Sequence, residues 1–276
     1  MLESSEENGG KNMALVQATF MSRALARNVT ITAIIPAPKV GFPGEPVQKK
    51  GPFKTLYLLH GIIGNHADWA SSSRIRELAE RNDLAVIMPS GDNSFYVDDE
   101  KRGNMYGEFI GSDLVEATRE IFNLSDKRED TFIAGLSMGG YGAIRNGLKY
   151  CENFSHIAAL SSALITYNAP DSTEDSPWKF GKRSYYEEVF GDLEKLPESD
   201  NDPEGVLKIV KAQGKEIPKI YMACGTEDSL VDLNRRYRDF LLEENVDLTY
   251  VEGPGKHDWK FWDTYIEKVI DWLPLK

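Results

Sequence analysis

The apolar positions of the chain follow two alternating patterns, one typical of buried strands and one typical of amphipathic helices. Residues 14–36 carry short β-branched runs, which predict two early strands that pair like a hairpin. Residues 54–59 form an almost unbroken apolar run that leads directly into His60 and Gly61. Such a run is expected of a strand that is buried on both faces.

Helix and strand patterns then alternate to the end of the chain. Predicted helices cover residues 73–82, 108–122, 139–148, 231–244 and 259–272, and predicted strands cover residues 84–88, 131–135, 157–161, 219–224 and 247–251. In the second of these helices, Ile110, Leu114 and Ile121 should lie roughly along one side. This order predicts an α/β fold with a mainly parallel central sheet and helices on both faces.

One insertion, residues 163–201, interrupts this alternation. A long insertion between regular elements is typical of a lid over a binding site. The alternative is that its large rings simply extend the core, because each of them buries much apolar area. The rings in question are Trp178, Phe180, Tyr185, Tyr186 and Phe190.

A chain of 276 residues suits one large α/β domain, which we expect to cover residues 13–276. Met13 opens a sequence that reads like a natural start, so we expect residues 1–12 to be a disordered extension. That polar, acidic stretch lacks the basic and apolar parts of a secretory signal, and no apolar run approaches the roughly eighteen residues that span a bilayer. These features favour a cytoplasmic protein without a membrane anchor.

Acidic side chains outnumber basic ones by 44 to 32, and the resulting net charge of −12 disfavours nucleic acid and anionic membranes as partners. The two cysteines, Cys151 and Cys224, are too few for a disulfide framework or a thiolate metal cluster. One acidic stretch lacks the regular alternation and the glycine of a calcium loop, and it consists of Asp92, Asp98, Asp99 and Glu100. We therefore expect no bound metal.

The strongest chemical signal is the sequence Gly-Leu-Ser-Met-Gly-Gly at residues 135–140, between a predicted strand and a predicted helix. Glycines two residues before and two residues after Ser137 permit the close backbone passage that a sharp strand-to-helix turn needs. Such a turn holds a serine hydroxyl clear of the fold and directs the positive end of the helix at it. A glycine-rich turn without a catalytic role is the alternative, but the context favours Ser137 as a nucleophile.

A neutral serine needs a general base, and the chain offers four histidines, His60, His66, His156 and His257. In hydrolases with this strand-to-helix turn, the nucleophile, the acid and the histidine follow each other in chain order. That order excludes His60 and His66, and His156 directly precedes the strand after the nucleophile helix. We therefore assign the base to His257, although it could instead only cap the last helix.

The acid should follow the strand at 219–224, where residues 225–228 read Gly-Thr-Glu-Asp. One carboxylate must orient the imidazole. We favour Asp228 over Glu227, because about three residues of turn would bring a short side chain back toward His257. Asp232 is a weaker candidate, and Glu227 is then a solvated charge at a turn or helix start.

A tetrahedral intermediate needs two N–H donors for its oxyanion, one from the residue after the nucleophile and one from an early loop. We assign these donors to Met138 and to Ile62, whose loop contains glycines that permit close backbone approach. His60 is then structural. Trp69 either lines the pocket near this loop or belongs to the core.

With these residues located, the chain resembles the tributyrin esterase and esterase D branch of the α/β-hydrolases, which includes feruloyl and acetyl esterases. The resemblance is carried by residues 58–61, 64–66 and 69, 135–143, 224–228 and 255–259. It implies an α/β-hydrolase fold, an esterase without a cofactor, and the roles given above to Ser137, Asp228 and His257. It also implies that the insertion covers the pocket, where Trp178 would contact substrate, and a possible homo-oligomer.

These observations predict a serine carboxylesterase that hydrolyses short-chain acyl esters through an acyl-enzyme. Two alternatives of the same class are a thioesterase that acts on S-formylglutathione and a feruloyl or acetyl esterase that acts on plant polysaccharide fragments. An alternative of another class is a hydrolase scaffold kept for binding, which would normally have lost a member of the triad. Here all three candidates are present.

Overall fold

The first two strands form the predicted hairpin. The computed structural model describes residues 12–37 and 51–276, and within it β1 (Asn12–Ser22) pairs antiparallel with β2 (Arg27–Ala37). Residues 1–11 of the predicted extension lie outside the described residues, and Asn12 is the first residue of β1.

The remaining elements follow the predicted alternation closely. The other strands are β3 (Thr55–Leu59), β4 (Ala85–Pro89), β5 (Asp98–Asp99), β6 (Asn104–Met105), β7 (Thr131–Leu136), β8 (His156–Leu160), β9 (Lys219–Gly225) and β10 (Leu248–Gly253). The helices are α1 (Asp68–Ser72), α2 (Ile75–Asn82), α3 (Tyr106–Glu108), α4 (Leu114–Ile121), α5 (Met138–Lys149), α6 (Arg183–Phe190), α7 (Pro203–Ala212), α8 (Val231–Glu243) and α9 (Trp259–Trp272). A π-helical segment (Phe109–Asp113) joins α3 to α4, and short 3-10 turns lie at Arg128–Asp130, Ile165–Tyr167, Lys179–Gly181 and Leu193–Lys195.

Eight strands form one sheet in the order β1, β2, β4, β3, β7, β8, β9, β10. β2 pairs antiparallel with β4, and every later pair in the sheet is parallel. A mainly parallel sheet is stable only when helices cover both of its faces. The predicted α/β class is therefore confirmed.

The two faces of the sheet carry separate hydrophobic clusters, and β3 shows how the sequence fills both. Leu56 and Leu58 pack on the face covered by α2 and α9, whereas Tyr57 and Leu59 pack on the face covered by α4, α5 and α8. Successive side chains of a strand point to opposite faces, so a strand between two helical layers must be apolar throughout. All five residues of β3 are buried.

The three apolar residues predicted along one side of the helix at 108–122 are not equally buried. Ile110 and Leu114 are fully buried, but Ile121 is 46% exposed. Ile121 is the last residue of α4, where the helix ends beyond the core. Thr118 occupies the buried position of the last turn instead, and its hydroxyl forms a 2.8 Å hydrogen bond with that of Tyr57. None of the helices in the described part of the chain is long and apolar enough to cross a membrane.

The topology brings the chemically distinctive loops to one edge of the sheet. β3, β7, β9 and β10 are parallel, so their carboxyl ends meet at the same edge. The loops that follow these four strands contain Ile62, Ser137, Asp228 and His257, respectively. His156 begins β8 and therefore lies at the opposite edge.

Candidate active site

Ser137 lies on a sharp turn between β7 and α5, and its backbone adopts a left-handed conformation with φ of 54° and ψ of −119°. Residues other than glycine rarely adopt such a conformation, and it persists only where surrounding contacts hold it. Here the Ser137 N–H donates to Leu160 O at 2.9 Å, and its carbonyl accepts from the Ala163 N–H at 2.9 Å. Both partners come from β8 and the segment after it, so the central sheet fixes the turn.

Gly139 allows this turn to pack against the end of β3. A Cβ at position 139 would lie 2.5 Å from Leu59 O and 2.6 Å from His60 O, both backbone atoms that cannot move without displacing the strand end. The predicted reason for the glycines, close passage of backbones, is therefore visible at this position.

We expect Gly139→Ala to destabilise the fold by roughly 1–3 kcal/mol through overpacking and to lower kcat on the order of 10²-fold by shifting the reacting groups. Gly214→Ala is the matched control, because Gly214 has φ of +66° and open space around it near the opposite edge of the sheet. That variant should also lose stability but keep its activity. Thermal denaturation measures the loss of stability, and p-nitrophenyl acetate hydrolysis measures the loss of kcat. Equal activity in both variants would show that Gly139→Ala does not shift the reacting groups.

The structure brings Ser137, His257 and Asp228 into one chain of hydrogen bonds. The Ser137 Oγ lies 2.9 Å from His257 Nε2, and His257 Nδ1 lies 2.9 Å from Asp228 Oδ2. A carboxylate accepts only, so Nδ1 carries the hydrogen and Nε2 is left to accept from the serine hydroxyl. The neutral imidazole therefore has the tautomer that a general base requires.

The Asp228 carboxylate is fully buried, whereas the His257 side chain is 32% exposed. Burial opposes the ionised form of Asp228. Hydrogen bonds from His257 and from the Leu230 N–H, the latter at 2.9 Å, outweigh burial and hold the pKa of the carboxyl below its ordinary value. The group that orients the imidazole thus stays negatively charged.

Glu227 is an exposed charge at a turn, as expected, but its side chain also contacts a second loop. Its side chain is exposed, yet one carboxylate oxygen accepts a hydrogen bond of 2.5 Å from the Gly255 N–H. That bond holds the pKa of Glu227 below its ordinary value. The Glu227 N–H also donates to Gly255 O at 3.0 Å, so Glu227 holds the loop that carries His257. The expectation missed this contact because it joins two loops that are distant in sequence.

The two assigned oxyanion donors flank the same cavity. Met138 is the first residue of α5, where a helix leaves its N–H groups without an intrahelical acceptor. Ile62 lines the cavity with Gly61, and a Cβ at Gly61 would lie 3.4 Å from the Ser137 Cβ. The Ile63 backbone is left-handed, with φ of 61°, and its N–H donates to Asn93 Oδ1 at 2.7 Å. A strained, β-branched residue in this conformation is tolerated because that bond holds the loop.

His60 is a structural histidine, as expected. It is 1% exposed, and its Nδ1 lies 2.6 Å from Gly61 O while its Nε2 accepts from the Gly91 N–H at 2.8 Å. Burial lowers the pKa of this imidazole, which keeps it neutral. His60 therefore fixes the start of the loop that carries Ile62.

A cavity of about 650 Å³ opens above Ser137. Three aromatic residues of the insertion, Trp178, Phe180 and Tyr186, line it, and Trp178 is 53% exposed. Tyr185 and Phe190 are buried instead, and both pack against the ring of Phe95. Some rings of the insertion therefore line the cavity, and others extend the core.

The structure places Trp69 in the core and not on the cavity, so its predicted substrate-binding position is corrected. The ring is 1% exposed, and its Nε1 donates to Leu59 O at 2.9 Å. It packs perpendicular to Trp259, which does line the cavity. A buried backbone acceptor and a ring partner explain a core tryptophan at this position.

Sequence reasoning missed Trp259, Trp262 and Asp68, which all line the cavity. The Trp262 ring stands perpendicular to the His257 ring, with centroids 5.0 Å apart. α9 begins directly after the His257 loop, so tryptophans in its first turn were a usable signal. No sequence signal marks Asp68, which resembles an ordinary acidic residue at a helix start.

Within residues 12–37 and 51–276, no group of three or more His, Cys, Asp or Glu side chains could hold a metal ion. The acidic stretch considered above has protein partners. Asp92 pairs with Arg27 at 3.2 Å, and Asp98 lies 3.5 Å from Lys149 and 3.7 Å from the buried Arg145.

Comparison with protein families identifies the class of enzyme. Residues 22–269 match the family model Esterase, which is described as "Putative esterase". The chain belongs to the Esterase family. The match begins at the last residue of β1 and covers the other seven strands of the large sheet, with the turn at Ser137 and the loops that carry Asp228 and His257.

Relatives of the esterase agree with this assignment. It is 48% identical over 264 residues to the acetyl esterase of Caldicellulosiruptor saccharolyticus, covering 95% of this chain and 98% of that one. Among solved structures it is similar to substrate-bound FphF, a fluorophosphonate-binding serine hydrolase of Staphylococcus aureus, with 31% identity, a TM-score of 0.83 and coverage of 96% and 99%. The S-formylglutathione hydrolase FrmB of the same organism gives 32% identity, a TM-score of 0.81 and coverage of 96% and 100%.

These likenesses confirm the α/β-hydrolase type of fold and the resemblance to the esterase D branch. The protein is a carboxylic ester hydrolase of the serine hydrolase class, and its substrate is a small-molecule ester.

Proposed function

We propose that the esterase hydrolyses short-chain acyl esters, with Ser137 as the nucleophile, His257 as the general base and Asp228 as the acid that orients it. The observation that supports this most is the pair of 2.9 Å hydrogen bonds that joins the three side chains. The similarity to an acetyl esterase favours a small acyl group. No metal or cofactor takes part in the proposed reaction.

In the first half of the reaction, His257 Nε2 accepts the Ser137 proton while Oγ attacks the carbonyl carbon of the ester. The carbonyl oxygen becomes an oxyanion, which the N–H groups of Met138 and Ile62 stabilise. The bond to the alcohol oxygen then breaks, and the alcohol leaves with the proton from Nε2. An acyl-enzyme on Ser137 remains.

In the second half, water attacks the carbonyl carbon of the acyl-enzyme and gives its proton to the same imidazole. The second tetrahedral intermediate collapses, its bond to Oγ breaks, and Oγ takes the proton back from Nε2. The carboxylic acid is released and the resting site is restored. Asp228 keeps the imidazole oriented and stabilises its positive charge in both halves.

The similarity to FrmB supports a second candidate, hydrolysis of the thioester S-formylglutathione. Both substrates would use the same acyl-enzyme, so the leaving group decides between them. The test compares kcat/KM for S-formylglutathione with kcat/KM for a panel of acetyl and feruloyl esters that includes p-nitrophenyl acetate and acetylated sugars. A clear preference for the thioester would assign the second function. A preference for feruloyl esters would show that the enzyme does not select a short acyl group.

The insertion should limit the length of the acyl chain. We propose that it acts as a lid, because Trp178, Phe180 and Tyr186 line the cavity above Ser137. Acetyl to butyryl esters should therefore have higher kcat/KM than octanoyl or longer ones, since a methylene that fits adds about 0.8 kcal/mol while one that clashes removes more.

This preference is measured as kcat/KM for a series of p-nitrophenyl esters whose acyl chains have about two to twelve carbons. Trp178→Ala should move the optimum toward longer chains, and the side chain is exposed enough for the variant to fold. A rate that climbs steadily through the longest ester in the wild type would refute the lid and indicate an open groove.

A further inference from the structure

The cavity above Ser137 contains one carboxylate that the proposed mechanism does not use. Asp68, the first residue of α1, lines the cavity together with Ser137 and His257. Within the described ranges, its carboxylate takes part in no hydrogen bond or ion pair. A partly buried carboxylate without a donor is costly, so a group that binds in the cavity gains by supplying one.

The fold places this carboxylate close to the oxyanion loop. A Cβ at Gly64 would collide with Asp68 Oδ2 and would lie 3.0 Å from Gly61 O, while Gly61 itself adjoins the Ser137 Cβ. Ser137 and Asp68 therefore line the same cavity, and Gly61 and Gly64, which have no side chains, lie between them. A bound ester can reach both residues at once.

Charge within the cavity is unbalanced. Among the described residues that line it, Asp68 and His257 are the only Asp, Glu, His, Lys or Arg side chains. His257 must be neutral when Ser137 attacks. The ester that enters therefore meets one negative charge and no fixed positive charge, in a surrounding that is largely apolar and strengthens electrostatic interactions.

The size of the cavity favours the alcohol part of the ester as the part that reaches Asp68. An acetyl group fills only a small part of a cavity of about 650 Å³, so most of that space receives the alcohol. We propose that Asp68 is a specificity-determining residue that favours alcohols with a cationic or hydrogen-bond-donating group and disfavours anionic alcohols and thiols. This inference rests on the proposed acyl-enzyme mechanism, and it disfavours glutathione thioesters, whose leaving thiol carries two carboxylates and one ammonium group.

Three para-substituted phenyl acetates test the proposal: 4-acetoxybenzoate is anionic, 4-acetylphenyl acetate is neutral and donates no hydrogen bond, and 4-(trimethylammoniomethyl)phenyl acetate is cationic. For each ester, kcat/KM is measured for the wild type and for Asp68→Asn, so that the ratio between the two enzymes cancels the intrinsic reactivity of the leaving group. Asp68→Asn should raise kcat/KM for the anionic ester and lower it for the cationic one. We expect the cation-to-anion preference to fall roughly tenfold, and to shrink in the wild type at high salt.

Asp126→Asn is the matched control. Asp126 is exposed, it lies just before β7 at the opposite edge of the sheet, and its replacement changes the net charge of the protein by the same amount. The cation-to-anion preference should stay as in the wild type. Because each preference is a ratio within one enzyme, it can be measured even if Asp68→Asn lowers the amount of folded protein.

Two outcomes would overturn the inference: an unchanged preference in Asp68→Asn, or an equal change in Asp126→Asn, which would assign the effect to the net charge of the whole protein. The neutral ester distinguishes these outcomes from failure of the proposed mechanism. If the neutral ester is hydrolysed normally and only with Ser137 present, an unchanged preference refutes the role of Asp68 alone. If Ser137→Ala hydrolyses the neutral ester at the wild-type rate, the mechanism itself fails.

Discussion

Ser137→Ala should lower kcat for p-nitrophenyl acetate by about 10⁴-fold to 10⁶-fold, because a triad acts as a unit and its nucleophile has no substitute. The geometry gives the reason in this chain. The Ser137 Oγ is the atom that lies 2.9 Å from His257 Nε2, and alanine has no atom at that position to attack the ester or donate a proton. The remaining hydrolysis would come from substrate binding and the oxyanion donors alone.

Ser229→Ala is the matched control for this loss, because Ser229 is an exposed serine that lines the same cavity. It should keep kcat within a few-fold of the wild type. Circular dichroism and thermal denaturation of both variants check that the fold is intact. If the Ser137→Ala variant kept about a tenth or more of the wild-type activity, Ser137 would be excluded as the nucleophile.

Asp228→Asn should lower kcat by roughly 10⁴-fold with little change in the folded state. The buried carboxylate accepts from His257 Nδ1, which leaves Nε2 free to accept the serine proton. An asparagine amide can donate to Nδ1 instead, and the opposite tautomer then carries its hydrogen on Nε2, where it cannot act as a base. The lowered pKa of Asp228 means that the wild-type carboxylate stays charged well into the acidic range.

Glu227→Gln is the comparison for that variant, because it changes the neighbouring carboxylate to an amide of the same size. Its carboxylate holds the Gly255 N–H and has no contact with the imidazole among the described residues. A glutamine oxygen can still accept that hydrogen bond, so we expect a far milder loss. If Glu227→Gln were the more damaging of the two, Asp228 would be the wrong choice of acid.

The order of elements could be predicted because strands buried on both faces leave an unmistakable apolar run in the sequence. β3 is such a strand, and the glycines around Ser137 mark the turn that follows β7. Chain order then excluded His60 and His66 as the base, and the position of His156 directly before a strand left His257. Asp228 and His257 each follow a parallel strand, and the carboxyl ends of parallel strands meet at one edge of the sheet. The alternation of helices and strands in the sequence already predicts that parallel arrangement.

The lining of the cavity could not be predicted in the same way, because it depends on contacts between segments that are distant in sequence. Trp69 and Trp178 both appeared suitable, yet the first lies beneath the site and the second lies over it. Where α1 packs against α9, the rings of Trp69 and Trp259 are in contact, but only Trp259 lines the cavity. The sequence alone does not show which of the two rings reaches the cavity. Asp68 differs from other helix-start acids only through its place in the folded cavity.

The role of Ser137 as the nucleophile is tested most directly by the site at which a fluorophosphonate modifies the protein. The wild-type esterase is incubated with the probe, digested and examined by mass spectrometry while residual p-nitrophenyl acetate hydrolysis is measured in parallel. We expect a single phosphonylated residue, Ser137, with activity lost in proportion to labelling. Label on another serine such as Ser229, or full activity in a protein labelled at Ser137, would contradict that role.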